Sequence, residues 1–211
     1  MKPKIVFIII LLVAFARLAH GQTIAELFVK LPATALLPLS ASDRTELIDL
    51  YKTEQQAVIK NSLEDSCSIL HLTDDYLKIL IGKNTTELFF LPMKNNSKIT
   101  GLIKTVCAPV CDSYIEFYTV SWEKLSAQAF ITLANKYDFI KEGINPEDEK
   151  VRNALVPLDI VLMRLQYDPE KKELRQYYTT PDYLSITDRA KVKPYLKETP
   201  KLFKWDLTRF K

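Results

Sequence analysis

A succession of β-rich stretches between about residues 58 and 133 is the feature that most limits how this chain folds. The hydrophobic pattern alternates there, and five strands are predicted, at residues 67–72, 76–81, 87–91, 99–106 and 113–120. Turn residues such as Asp74, Gly82 and Asn95 separate these stretches. Because parallel strands need crossovers of a dozen or more residues, such short links predict an antiparallel meander.

Helical signals flank the β-rich region at its N-terminal end. Thr23 and Glu26 have the spacing of a capping box, and Asp43 and Glu46 predict the start of a second helix. Both helices present apolar residues on one face, so they are expected to pack on the sheet.

The C-terminal part mixes strand and helix signals. Residues 158–167 and 173–179 predict a hairpin around a charged turn, and Phe203, Trp205 and Leu207 alternate in a last strand. Helix starts are predicted at Asp148 and at Ser185 with Asp188. The sequence therefore predicts an α+β fold, a curved antiparallel β-meander sheet with short N-terminal and C-terminal helices packed on it.

The first 21 residues have the pattern of a secretory signal peptide, which predicts that the protein is exported. Lys2 and Lys4 precede an uncharged apolar run at residues 5–16, which is too short for a bilayer core of about 30 Å. Ala19 and Gly21 provide the small residues that signal peptidase requires at two positions before the cleavage site. We expect a signal peptide over residues 1–21 that is cleaved and a single α+β domain over residues 22–211. No transmembrane span is expected after cleavage, and the expected location is the periplasm, with the cell exterior as the alternative.

The predicted cleavage removes the basic charge of the chain. Three of the 29 basic residues, Lys2, Lys4 and Arg17, lie in the signal, so the mature chain balances 26 basic against 26 acidic residues. Nucleic acids and anionic membranes require clustered Lys and Arg. We therefore expect no nucleic-acid partner, although the balance leaves room for a local basic patch.

The cysteines have different predicted roles. Cys107 and Cys111 occupy the facing ends of a predicted hairpin, so a disulfide is expected in an oxidising compartment, with a loop-closure gain of about 2 kcal/mol. Cys67 is expected to be a buried thiol, with pairing to a second chain as the alternative. Cys67 and His71 lie four residues apart in a predicted strand, roughly 13 Å, too far for one zinc ion. No metal and no cofactor are predicted.

Tyr114, Glu116 and Tyr118 alternate along one predicted strand and form its polar but aromatic face. The first hypothesis is a non-catalytic exported module that uses this face to hold an apolar ligand, a lipid or an envelope protein. A Lys or Arg partner on an adjacent strand is the structural explanation for Glu116. A variant of the hypothesis is a half-open barrel that carries lipid, with the N-terminal helices as its lid.

An enzyme is the rival hypothesis, although no catalytic residue is assigned. His71 is the only histidine of the mature chain, and no glycine-flanked nucleophile turn accompanies it. A hydrolase of envelope components would use Glu116 or Asp75, and it needs a second titratable group within hydrogen-bond reach or about 5 to 9 Å away.

A further aromatic cluster lies in the C-terminal part. Tyr177, Tyr178 and Tyr183 surround a turn, where a seam between helix and sheet is expected and a ligand surface is the alternative.

Several segments resemble a known family, in this order along the chain: TIAELF at 23–28 with LP at 31–32, LLP at 36–38, LTDDYL at 72–77, CAPVCDS at 107–113, EFY at 116–118 and YTTP at 178–181. They are similar to the domain of unknown function 3256 family, secreted proteins of Bacteroides-like bacteria. The resemblance covers almost all of the mature chain. It implies a bacterial, exported, single-domain protein, and it supplies no activity and no functional residues.

Overall fold

The computed structural model describes residues 21–36, 39–55 and 57–211. The predicted signal peptide, except for Gly21, lies outside these ranges and remains a prediction. Within them, no helix has the length and apolar character needed to cross a membrane.

A seven-stranded antiparallel sheet, here called the large sheet, follows the order of the chain. Its strands are β1 (Val58–Lys60), β2 (Ser66–Leu72), β3 (Tyr76–Ile81), β4 (Asn84–Pro92), β5 (Lys98–Cys107), β6 (Cys111–Thr119) and β7 (Lys124–Leu125). The predicted meander is confirmed, because each of the five predicted strands pairs with its neighbour in sequence. The short strands β1 and β7 form the two edges, so the sheet is open.

A second antiparallel sheet, here called the small sheet, contains three strands in the order β10-β9-β8. They are β8 (Met163–Asp168), β9 (Glu173–Tyr178) and β10 (Lys201–Lys204). The predicted hairpin is confirmed as β8 and β9. The prediction that Leu207 belongs to the last strand is wrong: Leu207 has a φ of 70° and lies in the turn that brings Trp205 opposite Phe210.

The helices are short, in line with the α+β prediction. They are α1 (Ile24–Val29), α2 (Ala41–Lys52), α3 (Ala127–Phe130), α4 (Glu149–Leu155), α5 (Thr180–Tyr183) and α6 (Ile186–Val192), with 3-10 turns at Ala33–Ala35, Lys136–Phe139 and Lys193–Tyr195.

Local capping sets the starts of the first two helices. Thr23 caps α1, since its hydroxyl accepts a hydrogen bond from the Glu26 N–H at 3.3 Å, but the reciprocal bond from the Glu26 side chain that would complete the predicted capping box is not formed in the described structure. The cap of α2 is Ser40 rather than Asp43. Ser40 and Asp43 form a reciprocal capping box, which starts the helix earlier than predicted.

The large sheet is covered on both faces. On one face, Ile24, Leu27 and Phe28 of α1 are buried in a core with residues of the sheet such as Leu88 and Leu102. On the other face, the small sheet contributes residues to a second core, which contains Phe89, Ile103, Phe117, Leu165, Tyr167 and Leu174. The large sheet therefore lies between a helical layer and the small sheet. A third apolar cluster joins Val192 of α6 to Ile140, Leu158 and Leu196.

Candidate functional site

The predicted binding face on β6 is divided into a closed end and an open end. Tyr118 is 9% exposed, belongs to the core under α1 and meets the ring of Trp122 edge-on at 5.3 Å. Tyr114 is 48% exposed, and the Lys104 ammonium lies 5.4 Å from the centre of its ring. Only the Tyr114 end of this face is therefore open to a ligand.

Glu116 lies between these two tyrosines and is held by neighbouring groups. The ammonium of Lys124 donates to it at 2.6 Å, and the Tyr118 hydroxyl donates to it at 3.0 Å. Burial, the largest single influence, raises the pKa of Glu116, but the hydrogen bonds from Lys124 and Tyr118 together outweigh it and lower the pKa. Burial and the hydrogen bond to Glu116 raise the pKa of Tyr118 to about 12. Glu116 is thus an ionised carboxylate paired with a lysine of the adjacent strand β7.

Asp75, the other carboxylate considered for hydrolysis, is also in an ion pair. Its Oδ1 lies 3.0 Å from the Lys98 ammonium, and the Asp75 side chain is exposed. Both carboxylates therefore have a lysine as their direct partner.

The cysteines lie in two separate places. Cys107 and Cys111 form a disulfide across the β5–β6 hairpin, where they are paired residues with a Cα–Cα distance of 3.9 Å. Cys67 is a buried free thiol, and burial raises its pKa. The His71 ring lies tilted against the Tyr76 ring, 5.5 Å between centres, on the side of the small sheet. Cys67 lies in the helix-side core, because the strand register shifts between Ile69 and His71.

Side chains of the large sheet bind the edge of β8 that pairs with no strand. The backbone N–H groups of Met163, Leu165 and Tyr167 donate to Asp112 Oδ1 at 2.9 Å, Ser113 Oγ at 3.0 Å and Glu87 Oε2 at 3.2 Å, respectively. These amides point away from β9, so the side chains replace the partner strand that an edge lacks.

The CAPVCDS and YTTP segments meet at this junction. Asp112 and Ser113 belong to the first segment, and the Thr179 hydroxyl of the second donates to the Cys111 carbonyl at 2.8 Å. Thr180 accepts from the Leu162 N–H at 2.8 Å and donates to the Ile160 carbonyl at 3.0 Å. Asp112, Ser113 and Thr179 therefore join the two sheets, whereas Thr180 holds the segment that leads into β8.

A cleft of about 400 Å³, here called the basic cleft, lies where the end of β9 meets α5, α6 and the residues that lead into β10. Four cations line it, Arg164, Arg189, Lys193 and Lys197, together with the carboxylates Asp182 and Glu198. Its other lining residues are Tyr177, Tyr178, Thr179, Pro181, Leu196, Thr199 and Pro200. Positive charge is in excess here, although the mature chain is predicted to be balanced.

The cations of the basic cleft differ in their partners. Lys193 pairs with Glu198 at 3.2 Å, and Arg189 lies 3.5 Å from Asp182 while donating to backbone carbonyls of α5. Lys197 donates to the Asp138 carbonyl at 3.2 Å. The Arg164 guanidinium stacks on the ring of Tyr177, with 4.2 Å between Cζ and the ring centre.

Tyr178 faces the core beside the basic cleft. It stacks on Phe139 with ring centres 5.5 Å apart. Its hydroxyl is buried and has no hydrogen-bond partner among residues 21–36, 39–55 and 57–211, and burial raises its pKa. Tyr178 thus forms the predicted seam, and Tyr177 and Tyr178 both contribute to the lining of the basic cleft.

A second concavity, here called the apolar cleft, has a volume of about 260 Å³. Its apolar lining includes Tyr137, Ile140, Leu155, Val156, Leu158 and Leu196, and its charged lining consists of Lys136, Glu147, Arg152 and Asp159. Leu196 contributes to both clefts, so they lie on two sides of one buried side chain.

Sequence prediction missed both clefts because their residues come from separate elements. Arg164 lies on β8, Arg189 on α6 and Lys193 in a 3-10 turn. The only local signal was the aromatic stretch beginning at Tyr177.

Comparison with known proteins gives a family and a fold. The family described as "Protein of unknown function (DUF3256)" matches residues 16–210. No curated protein matches the chain. The structure is similar to a solved domain of an uncharacterized protein from Porphyromonas gingivalis W83, with a TM-score of 0.79 and 21% sequence identity over 90% of this chain and 99% of that one. At that identity the likeness extends to the fold alone.

Proposed function

The chain belongs to the DUF3256 family of proteins of unknown function, and on this premise we propose that it is a non-catalytic exported binding module whose ligand occupies the basic cleft. The resemblance predicted from the short segments is confirmed by the family match. We propose three things beyond the family: that the protein binds a ligand, that the ligand occupies the basic cleft, and that the protein is exported.

The observation that carries the proposal is the combination of size and lining in the basic cleft. Ligand sites occupy about 300 to 1,000 Å³ and combine apolar walls with a few convergent polar groups. The basic cleft, at about 400 Å³, has the aromatic walls of Tyr177 and Tyr178 and four cationic side chains. The apolar cleft is smaller, at about 260 Å³.

The predicted face of Tyr114, Glu116 and Tyr118 supports ligand binding less well. Tyr118 is already packed under α1, and Glu116 is satisfied by Lys124 and Tyr118. A ligand that contacts Glu116 would therefore have to displace an existing ion pair, and only Tyr114 remains open to one.

The two alternative functions have weaker support. A general acid must keep its proton near neutral pH, whereas the pKa of Glu116 is lowered. A lipid carrier needs space under its lid, whereas Ile24, Leu27 and Phe28 of α1 are fully buried in the core on that face.

Export is supported by the basic start and short apolar run of the sequence and by the Cys107–Cys111 disulfide, since disulfides persist in oxidising compartments. The periplasm is the proposed location, with the exterior as the alternative. Fractionation of the source cells, followed by immunodetection of the chain, tests this part of the proposal separately.

Native mass spectrometry of the protein isolated from its own compartment tests ligand binding. We expect the wild type to carry an additional mass. The variant Thr199→Trp, which adds a bulky ring at a residue of the cleft lining, should lose this mass. The matched control Thr187→Trp lies on exposed α6 surface outside the cleft lining and should retain it. A wild-type protein without bound ligand, or equal retention by both variants, would contradict the proposal.

A further inference from the structure

We infer that the ligand of the basic cleft carries an oxyanion, a carboxylate or a phosphate, and that Arg164 is the residue that binds it. This inference rests on the proposed function and adds the chemical class of the ligand.

Arg164 has a fixed geometry and an uncompensated charge. It is paired across the small sheet with Tyr177, and its guanidinium stacks on that ring. Within the described part of the chain, no carboxylate lies at ion-pair distance from Arg164. The contact with Tyr177 restricts where the guanidinium can move, and its N–H groups match a carboxylate or a phosphate.

Arg175 provides an internal comparison on the same strand face. It lies two residues from Tyr177, and its guanidinium is bound by Asp168 at 2.8 Å and by Glu173 at 3.2 Å. Two carboxylates of the protein thus satisfy Arg175. Arg164, on the same face of the small sheet, lacks such partners and borders a cleft.

The remaining cations of the cleft can assist Arg164. Lys197 is bonded to a backbone carbonyl, which leaves its charge uncompensated. The Lys193–Glu198 pair is exposed on both sides, and exposed pairs of this kind are weak, so Lys193 can exchange its partner for a ligand. Arg189 is committed to carbonyls of α5 and to Asp182.

The charge of the whole chain favours a small ligand over a polyanion. A nucleic-acid surface requires cations distributed along a backbone of phosphates. Here four cations converge on one cleft, in a mature chain predicted to have equal numbers of acidic and basic residues. A single oxyanion group matches that arrangement.

The test is a titration of the purified protein followed by two-dimensional NMR of its backbone amides. The probes are inorganic phosphate and glucuronate, and glucose is the neutral control. We expect phosphate, glucuronate or both to shift the amides of Tyr177, Thr179 and Arg189 in a saturable manner, and glucose to leave them unchanged. Arg164→Gln should weaken the affinity by about tenfold or more, the effect of losing a charge-assisted hydrogen bond.

Arg152→Gln is the matched control, because it removes the same charge from an exposed residue of α4 that lines the apolar cleft and not the basic cleft. It should leave the affinity unchanged. Arg164→Lys, which keeps the charge and loses the planar fork, should fall between wild type and Arg164→Gln. Arg164→Lys also provides the measurement if Arg164→Gln does not fold.

A binding measurement with lipid vesicles distinguishes a lipid headgroup from a soluble ligand as the source of the phosphate. Binding to phosphatidylglycerol vesicles but not to free phosphate assigns the oxyanion to a lipid headgroup, whereas binding to free phosphate assigns it to a soluble ligand. In either case phosphatidylcholine vesicles should not bind.

Three outcomes would overturn the inference. They are failure of every anionic probe to bind, equal binding of glucose, and equal weakening by Arg152→Gln and Arg164→Gln. If native mass spectrometry then reveals a neutral bound ligand, the proposed binding function is supported and the inference of an oxyanion ligand is wrong. If it reveals no ligand, the proposed function fails as well.

Discussion

Glu87 and Lys78 form an ion pair of 3.1 Å on the face of the large sheet that the small sheet covers, where the Glu87 side chain is only 2% exposed. The second carboxylate oxygen accepts hydrogen bonds from the Tyr76 hydroxyl at 3.0 Å and from the Tyr167 N–H at 3.2 Å. One buried carboxylate thus satisfies groups on β3 and β8. Burial and the negative charge of Glu87 raise the pKa of Tyr76.

The first prediction concerns this carboxylate. Glu87→Ala leaves the Tyr167 amide and the Lys78 ammonium without their acceptor, so the free energy of unfolding should fall by about 3 to 5 kcal/mol. Urea unfolding measures it. Glu64→Ala is the control, because its pair with Lys60 is exposed and should contribute less than about 1 kcal/mol. Similar losses in both variants would contradict the prediction.

The second prediction concerns Gly101, which lies against the ring of Phe89. A Cβ at Gly101 would overlap that ring, and Phe89 is stacked on Tyr167 of the small sheet with 3.8 Å between centres. Gly101→Ala should therefore destabilise the protein by about 1 to 3 kcal/mol, as expected for overpacking. Combining it with Phe89→Leu should cost less than the sum of the two single changes, because the smaller side chain removes the overlap. Additive losses in urea unfolding would contradict this explanation.

The third prediction is a pH dependence. The pKa of Glu116 is lowered from its ordinary value of 4.5 in the folded state, so the unfolded chain takes up this proton first as the pH falls. The stability that Glu116 contributes is present above about pH 4.5 and is lost as the pH falls through the folded-state pKa. Glu116→Gln should therefore show a shallower loss of stability than wild type between about pH 5 and pH 3.

Chemical unfolding at a series of pH values measures this difference. Glu123→Gln, an exposed neighbour, is the control and should follow the wild-type curve. Parallel curves for wild type and Glu116→Gln would show that Lys124 and Tyr118 do not stabilise the ionised carboxylate.

The fourth prediction concerns the disulfide. Replacing Cys107 and Cys111 together by serine should lower the free energy of unfolding by about 2 kcal/mol, the entropy of closing so short a loop. Adding a reductant to the wild type should give the same loss, and the double variant should not respond to it. A response of the double variant would assign the effect to another group.

The parts of the fold that depend on local pattern were predicted from the sequence. Alternation and turn residues determine the meander, and Thr23 determines the start of α1. The docking of the small sheet was not predicted, because it depends on contacts between residues far apart in the chain, such as Met163 with Asp112.

The candidate site shows the same limit. Alternation placed Tyr114 and Tyr118 on one face, but whether each is open depends on α1 and Trp122, which the pattern does not locate. The basic cleft required the relative position of Arg164 and Lys197, which only the tertiary structure provides.

The docking of β8 through alternate amides restricts how the length of the chain can change. Inserting one residue between Met163 and Tyr167 would put the amides on the two sides of the insertion out of step, so that Asp112, Ser113 and Glu87 could no longer all be bound, and the buried side chains on one side would turn outward. Insertions and deletions in related chains should therefore fall in the exposed turn between β8 and β9, while the spacing within β8 stays constant.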